Sequence, residues 1–456
     1  MNVTEILQFV DGLVFTQTEK HLDDLQKKII EEIFRGKTYR QIADIYDYDE
    51  GYIGDESRQL FKILSEQLGE DINKSNFCWT IERVTNSKIS QISKILNFEN
   101  NIKNNNINWC PKHQKEKQQN NNIDNSNKSE YDLTLAPQII KFYNRETELK
   151  TISNWIFNQN IHLISILGLS GIGKTTLVKK FVDLHLDKFE VMIWRSLKYP
   201  KSLNLLIDDL LNICKQEAQE NMNNKLKQLF NILNEKKCLI ILDDVHNIFV
   251  SGQFAGKYQS EYQDYQNFFT MITETQHQSN VILISQEKCQ EMISLDSELY
   301  PIHSLELSGL NNAATEILKN QGLNNEETWL NLINLYESHP RYLQYISILI
   351  KDVFQGEVAE FIKENSLILT EDFKTLFDLM WMRLSDVEKE ILLKISQNDQ
   401  PISRDEIKQL LSLSSMDIIN GLQSLTRRFL VSKLENDQKL YTLSAVFKEY
   451  LRIYYH

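Results

Sequence analysis

Residues 161–184 limit what this chain can fold into more than any other stretch. The apolar, β-branched run Ile161 to Leu167 ends at Gly168, and Gly168-Leu169-Ser170-Gly171-Ile172-Gly173-Lys174-Thr175 follows. That string matches G-x-x-x-x-G-K-[ST] at every defined position, and a helical pattern from Thr176 to Leu184 comes next. A strand, a glycine turn and a helix in this order let successive backbone N–H groups point at phosphate oxygens. The helix N-terminus adds its partial positive charge. Gly168, Ser170, Gly171, Ile172, Gly173, Lys174, Thr175 and Thr176 are therefore the candidate phosphate-binding residues. Lys174 is placed to reach the β and γ phosphates as a catalytic cation, and the Thr175 hydroxyl to ligate Mg²⁺.

A second element lies about 70 residues on, where the apolar strand Cys238 to Leu242 ends in Asp243-Asp244. Two carboxylates often end a strand for no special reason. After a P-loop string, with helices between, they read instead as the metal side of a phosphate site. Asp243 would hold Mg²⁺ through water and Asp244 would orient the attacking water. The strand Asn280 to Ser285 is followed by Gln286, a neutral residue at a position suited to a cationic γ-phosphate sensor, and no arginine lies near this strand end. Slow hydrolysis, or binding alone, is the expectation, because an arginine there is worth orders of magnitude in rate.

The rest of the composition narrows the class. Fifty Lys/Arg against 63 Asp/Glu leave a net charge of −13, which excludes a generally basic surface for coating nucleic acid or anionic lipid. Six prolines and 14 glycines in 456 residues favour helix over a turn-rich all-β chain. The cysteines Cys78, Cys110, Cys214, Cys238 and Cys289 are odd in number and scattered, so they give neither a disulfide framework nor a zinc pattern. No apolar run reaches the length of a membrane span and the acidic N-terminus is no signal peptide, so a reducing cytoplasm is expected.

Composition also divides the chain. Asn97 to Lys128 is rich in Asn, Gln and Lys and reads as a flexible linker that cannot bury enough apolar surface to order itself. The block before it has the order helix, Gly36 break, short helix capped by Thr38, turn at Asp47-Tyr48-Asp49 and longer helix, a helix-turn-helix pattern. Apolar strands alternating with helices from Ile161 to Ser285 predict a parallel sheet covered on both faces. Amphipathic helices then dominate to Gly421, and helix, strand, polar turn at Glu435-Asn436-Asp437, strand and helix close the chain as a winged-helix pattern. The expected architecture is multidomain. An all-α helix-turn-helix module (1–95) and a linker (96–131) precede an α/β P-loop domain with a parallel sheet (132–308), a helical domain (309–375) and a winged helix (376–456).

From about residue 132 to its end, the chain resembles the NB-ARC class of STAND signalling ATPases, bacterial type. The resemblance rests on the P-loop string, Phe142-Tyr143-Asn144-Arg145-Glu146-Thr147-Glu148-Leu149, Trp194-Arg195-Ser196-Leu197, Asp243-Asp244, Ser251 to Tyr258 and Ile284-Ser285-Gln286-Glu287-Lys288. It implies that ATP or ADP, with Mg²⁺, is clamped between a nucleotide-binding, a helical and a winged-helix domain. By position it puts Arg145 beside the adenine nucleotide and Pro340, in Ser338-His339-Pro340, at the segment that touches it. The chain departs from the family at Gln286 in place of the sensor arginine, Ser338 in place of a glycine, and Ser444-Ala445 in place of the winged helix's histidine pair. The N-terminal block is similar to the small helix-turn-helix modules of bacterial signalling proteins, through Gly36 to Ala43 and Tyr48 to Ile53.

Those modules raise the question of DNA. Residues 1–86 hold ten Lys/Arg against seventeen Asp/Glu, and the would-be recognition helix opens with Asp49-Glu50 and carries Asp55 and Glu56. Such a field repels phosphates, so DNA is a disfavoured partner and a protein-docking or self-association face the favoured one. His246 reads as an incidental loop histidine. Three functions follow from the sequence: a cytoplasmic ATP/ADP switch controlling assembly and protein contacts, a nucleotide-gated transcription regulator, and a non-hydrolysing adaptor with ADP as structural ligand. Whether the chain turns ATP over to ADP and phosphate stays open.

Overall fold

The computed structural model describes residues 20–34, 37–68, 130–435 and 439–455, together with isolated positions between Leu7 and Ile81. Gly36, Cys78, Cys110, the Asn-rich stretch and the turn at Asn436-Asp437 lie outside the described residues. Two compact units divide the chain, residues 1–121 and 122–456.

In the first unit, α1 (Asp24–Phe34), α2 (Tyr39–Tyr46) and α3 (Glu50–Leu68) surround a small apolar core. Ile29, Ile30 and Ile33 of α1 meet Ile42 and Ala43 of α2 and Ile53, Leu60 and Leu64 of α3. The helical spacing of these residues puts them on one stripe of each helix. Thr38 starts α2 with a capping box: its side chain accepts from Gln41 N at 3.2 Å while Gln41 Oε1 accepts from Thr38 N at 2.9 Å. Asp47 ends the helix in the left-handed conformation, with φ 59°.

The second unit opens with β1 (Glu130–Asp132), α4 (Glu146–Phe157), β2 (Leu163–Leu167) and α5 (Lys174–Leu184). It continues through β3 (Val191–Ser196), α6 (Leu203–Ile213), α7 (Met222–Glu235), β4 (Cys238–Asp243), α8 (Asp264–Glu274), β5 (Asn280–Ser285), α9 (Glu291–Ser294) and β6 (Ile302–Glu306). The six strands form one sheet in the order β1-β3-β4-β5-β2-β6, every pair parallel. β2, β4 and β5 are buried at every residue, as a parallel sheet with helices on both faces demands. Alternate residues divide between two cores. Ile164, Ile166, Ile241 and Ile284 pack on Leu177, Val178 and Phe181 of α5 on one face. Ile240, Leu242, Val281 and Leu283 pack on Leu210, Leu229, Phe268 and Phe269 on the other.

Parallel pairing brings all the strand C-termini to one edge. Leu167 stands opposite Ser285 and Leu242 opposite Leu283, so the segments that leave β2, β4 and β5 meet there. Ligands of open α/β sheets bind in the crevice at such an edge.

Beyond the sheet the chain is mostly helical: α10 (Thr315–Gln321), α11 (Trp329–Leu335), α12 (Pro340–Val353), α13 (Val358–Ile362), α14 (Glu371–Met382) and α15 (Asp386–Ser396). After these come β7 (Ile402–Ser403), α16 (Arg404–Leu410), α17 (Ser415–Arg427), β8 (Val431–Glu435), β9 (Lys439–Leu443) and α18 (Ala445–Tyr455). β7, β9 and β8 make a small antiparallel sheet in that order. Ser385 and Ser403 each start a helix with a capping box, and Ser414 caps α17. One apolar core runs from Leu310 to Leu451 and joins these helices.

Candidate functional site

The turn from β2 into α5 is built on backbone that only glycine adopts without strain. Gly171 has φ 82° and Gly173, the N-cap of α5, φ 104°. A Cβ on Gly171 would also lie 2.7 Å from the Arg341 side chain. Lys174 opens α5 and is buried; its Nζ donates to the carbonyls of Gly168 and Leu169, each at 2.9 Å. Burial pulls its ammonium down to about 8, against the upward pull of Asp243 and Asp244 and with a further downward push from Arg341.

The end of β4 faces this turn. Thr175 Oγ1 donates to Asp243 Oδ1 at 3.3 Å, and that oxygen also accepts the Asp244 backbone N–H at 2.9 Å. Asp244 turns the chain at φ 60° and its Oδ2 accepts from Ser196 Oγ at 3.3 Å. Burial raises both carboxyls, that of Asp243 to about 7, and the Asp244 charge adds to the rise at Asp243. A buried carboxylate beside a hydroxyl, with too little positive charge around it, is a fitting donor set for Mg²⁺. That ion is commonly held by one or two carboxylates plus substrate phosphates and water. Among the described residues no cluster of three His, Cys, Asp or Glu stands ready to hold a metal without such help.

These groups line one cavity of about 420 Å³, within the range of small-molecule sites. Of the residues singled out in the sequence, the structure brings together Arg145, Ser170, Gly171, Ile172, Gly173, Lys174, Thr175, Thr176, Asp243, Asp244, Gln286 and Pro340 on its wall. Gly168 lies behind them, where its carbonyl accepts from Lys174. Arg145 is buried and committed: its guanidinium donates to Ile172 O at 3.2 Å, Ser308 O at 2.6 Å and Glu148 Oε1 at 2.7 Å. It therefore holds the loop and the chain leaving β6 in place from below.

Two readings of the sequence need correction. Arginine does lie near the end of β5, supplied from far along the chain: Arg383 and Arg428 both pair with Glu287, the residue after Gln286. His246 is not incidental. It is buried on the cavity wall, with its ring Nε2 3.0 Å from the Gln286 amide nitrogen, and its carbonyl accepts from Arg383 at 2.7 Å. Burial, with Arg383 and Lys174 nearby, holds the imidazole down to about 3, so the ring is neutral.

The sequence reading missed Lys141, Tyr143, Leu310, Arg341 and Gln344 on the same wall. Arg341 and Tyr143 carried a signal, the first adjoining Pro340 and the second standing in the string that holds Arg145; the others needed the fold. Ser444 and Ala445, where a histidine pair was absent, are also occupied. The Ala445 backbone N–H donates to Glu337 Oε1 at 2.5 Å, two residues before His339. Burial raises the Glu337 carboxyl, while Ser444 and that backbone N–H pull it back.

A parallel sheet with a glycine-rich loop and an acidic strand end around one cavity defines a P-loop NTPase-like fold. Two stretches of the chain match known domain families. Residues 145–290 match the NB-ARC domain, and residues 1–84 match the vWA-MoxR associated protein N-terminal HTH. Residues 145–290 are thus an NB-ARC domain, with this helix-turn-helix domain ahead of it in the sequence.

An uncharacterized WD repeat-containing protein of Nostoc sp. is 30% identical over 335 residues, 69% of this chain and 26% of that protein. The ToMV resistance protein Tm-2(2) of Solanum lycopersicum is 29% identical over 141 residues, 28% of this chain and 16% of its own length. This chain thus spans about a quarter of the first relative and less of the second. Among solved structures, a STAND protein with a tetratricopeptide repeat sensor from Pyrococcus horikoshii aligns with TM-score 0.34 at 20% identity, over 70% of this chain and 43% of that one.

Proposed function

We propose that this protein is a nucleotide-dependent switch that binds ATP or ADP with Mg²⁺ in the cavity at the sheet edge. The observation that carries this reading is the convergence of Lys174, Thr175 and Asp243, from two separate strand ends, around one cavity. In this reading the loop amides and Lys174 hold the phosphates, Thr175 and Asp243 hold Mg²⁺, and Asp244 positions the water that attacks the γ-phosphate. Mg²⁺ supplies charge neutralisation at the phosphates; the protein's own part is to bind, orient and shield. Arg145 and Pro340 support the nucleotide from the loop side and from α12. Hydrolysis is slow, because the position after β5 holds the neutral Gln286 and its neighbouring arginines are occupied by Glu287.

Residues 376–456 serve as a winged-helix domain, a reading supported by the antiparallel β7-β9-β8 sheet among short capped helices. Its helix α17 and the preceding Arg383 pack against the end of β5, so a change at the cavity reaches the C-terminal region through Glu287. The N-terminal module makes the output contact with protein partners, with self-assembly as one form of it. The acidic opening of α3, with Glu50, Asp55 and Glu56, supports this over DNA. No helix among the described residues is long and apolar enough to cross a membrane, in keeping with a cytoplasmic setting.

Denaturing the gently purified protein and identifying the released nucleotide tests the site. ADP or ATP near one per chain, lost in Lys174→Ala, is the expected result. No nucleotide from the wild type, and none taken up when ATP and Mg²⁺ are added, would leave a scaffold on a disused P-loop.

A further inference from the structure

The cavity has a surplus cation that nothing so far employs. Arg341, the second residue of α12, is exposed on the cavity wall, and its aliphatic stem lies over the crest of the P-loop. The fit is close: a Cβ on Gly171 would come within 2.7 Å of both Cβ and Cδ of Arg341 and 2.9 Å of its Nε. The other arginines around the site are taken. Arg145 serves Glu148 and two carbonyls, Arg383 serves Glu287 and the His246 carbonyl, and Arg428 serves Glu287 and Glu388. The Arg341 guanidinium makes no ion pair or hydrogen bond among the described residues. Its charge nevertheless reaches the phosphate end, since Asp243, Asp244 and Arg341 are the charged groups that act on Lys174.

We infer that Arg341 is the γ-phosphate-sensing cation of this chain, reaching the terminal phosphate from α12 in place of the neutral Gln286. The inference rests on the proposed nucleotide site and deepens it. An arginine over the loop that cradles the β-phosphate has little to add to ADP, and gains a doubly charged partner when the γ-phosphate is present. Its planar fork suits a bidentate contact with phosphate oxygens. Because Arg341 sits on α12 and not on the sheet, the contact ties the terminal phosphate to the helical region. Presence of that phosphate is thereby registered outside the nucleotide-binding sheet.

Binding of ADP and of a β,γ-imido ATP analogue, each with Mg²⁺, is measured by calorimetry on the full chain after removal of bound nucleotide. Wild type, Arg341→Ala, Arg341→Gln and Lys174→Ala are compared, with thermal melts to confirm folding. Loss of a charged hydrogen-bonding partner should weaken the ATP analogue about 10- to 100-fold in both Arg341 variants. ADP should stay within about threefold of wild type, and Lys174→Ala should lose both ligands. Equal weakening of the two ligands, or no change in either, overturns the inference and leaves the site intact. A wild type that binds neither ligand overturns the site reading and the inference with it.

Discussion

Nη1 of Arg428 lies 2.9 Å from Oε2 of Glu287, with the side chains 6% and 2% exposed, and the same guanidinium places Nε 3.0 Å from Oε1 of the fully buried Glu388. Its remaining nitrogen donates to Gln253 O at 2.7 Å. Glu287 directly follows the cavity residue Gln286, so one arginine on the C-terminal side closes over the segment that leaves β5. Ser424 joins in, donating to Glu388 at 2.6 Å and accepting the Ala255 N–H at 2.6 Å. The junction is polar and buried, and every nitrogen of the arginine fork has a partner there.

Removing one partner from such a network strands the rest. Arg428→Ala leaves Glu287 and Glu388 buried with less compensation, and should lower stability by about 3 kcal/mol. Replacing Arg428 and Glu388 together with apolar residues of similar size should recover only part of that loss, because Glu388 also serves Ser424 and the Ser385 capping box. Denaturant unfolding of the single and double variants measures both. A single variant within about 0.5 kcal/mol of wild type would mean water already reaches the pair.

Nucleotide affinity should depend on pH in a fixed direction. Without ligand, burial holds Lys174 down to about 8, and a bound phosphate favours its charged form. Binding therefore takes up a proton above that value, and affinity should fall as pH rises through about 8, approaching tenfold per unit. On the acid side the raised Asp243 carboxyl must lose its proton to hold Mg²⁺, so the metal-dependent part of binding should weaken well above pH 4. Calorimetric titrations across the range, with and without Mg²⁺, separate the two limbs. A flat alkaline limb would remove Lys174 from the phosphates.

Asp244 has the position but not the commitments of Asp243. Single-turnover hydrolysis with protein in excess should drop about 100-fold in Asp244→Asn, while ATP binding stays within about threefold. An unchanged rate would hand the attacking water to another group on the wall.

The contact between α15 and α17 predicts a stability change of the opposite sense to helix propensity. Alanine is better than glycine inside a helix by about 1 kcal/mol. At Gly421 a Cβ would lie 2.5 Å from Ile391 Cδ1 and 3.1 Å from Val387 Cγ1. Gly421→Ala should therefore destabilise by about 1–2 kcal/mol net, and adding Ile391→Val, which removes that Cδ1, should return most of it. A stabilised single variant would show that the two helices part easily.

The strand–turn–helix at Gly168 was legible because its determinants lie within a dozen residues and leave few alternatives. The parallel sheet was legible in the same way, from apolar runs at Ile161, Val191, Cys238 and Asn280 separated by helical stretches. What the sequence hid is what meets across distance. His246 and Gln286 are 40 residues apart and touch only because β4 and β5 pair. Arg383 reaches the His246 carbonyl across 137 residues, and no periodicity points there. The neutral side chain at Gln286 was read correctly as a residue, but the charge around it belongs to helices that the local pattern could not place.

Glu337 gives the missing histidine pair a replacement of a different kind. Its carboxylate accepts the first backbone N–H of α18, from a residue 108 positions away, and Pro340 follows it by three residues. A histidine reaching the nucleotide would make the last helix a reader of the ligand; this carboxylate makes it a mechanical continuation of the arm that bears Pro340 and Arg341. A load on the first turn of α18 would therefore bear first on Glu337 and on the turn that opens α12.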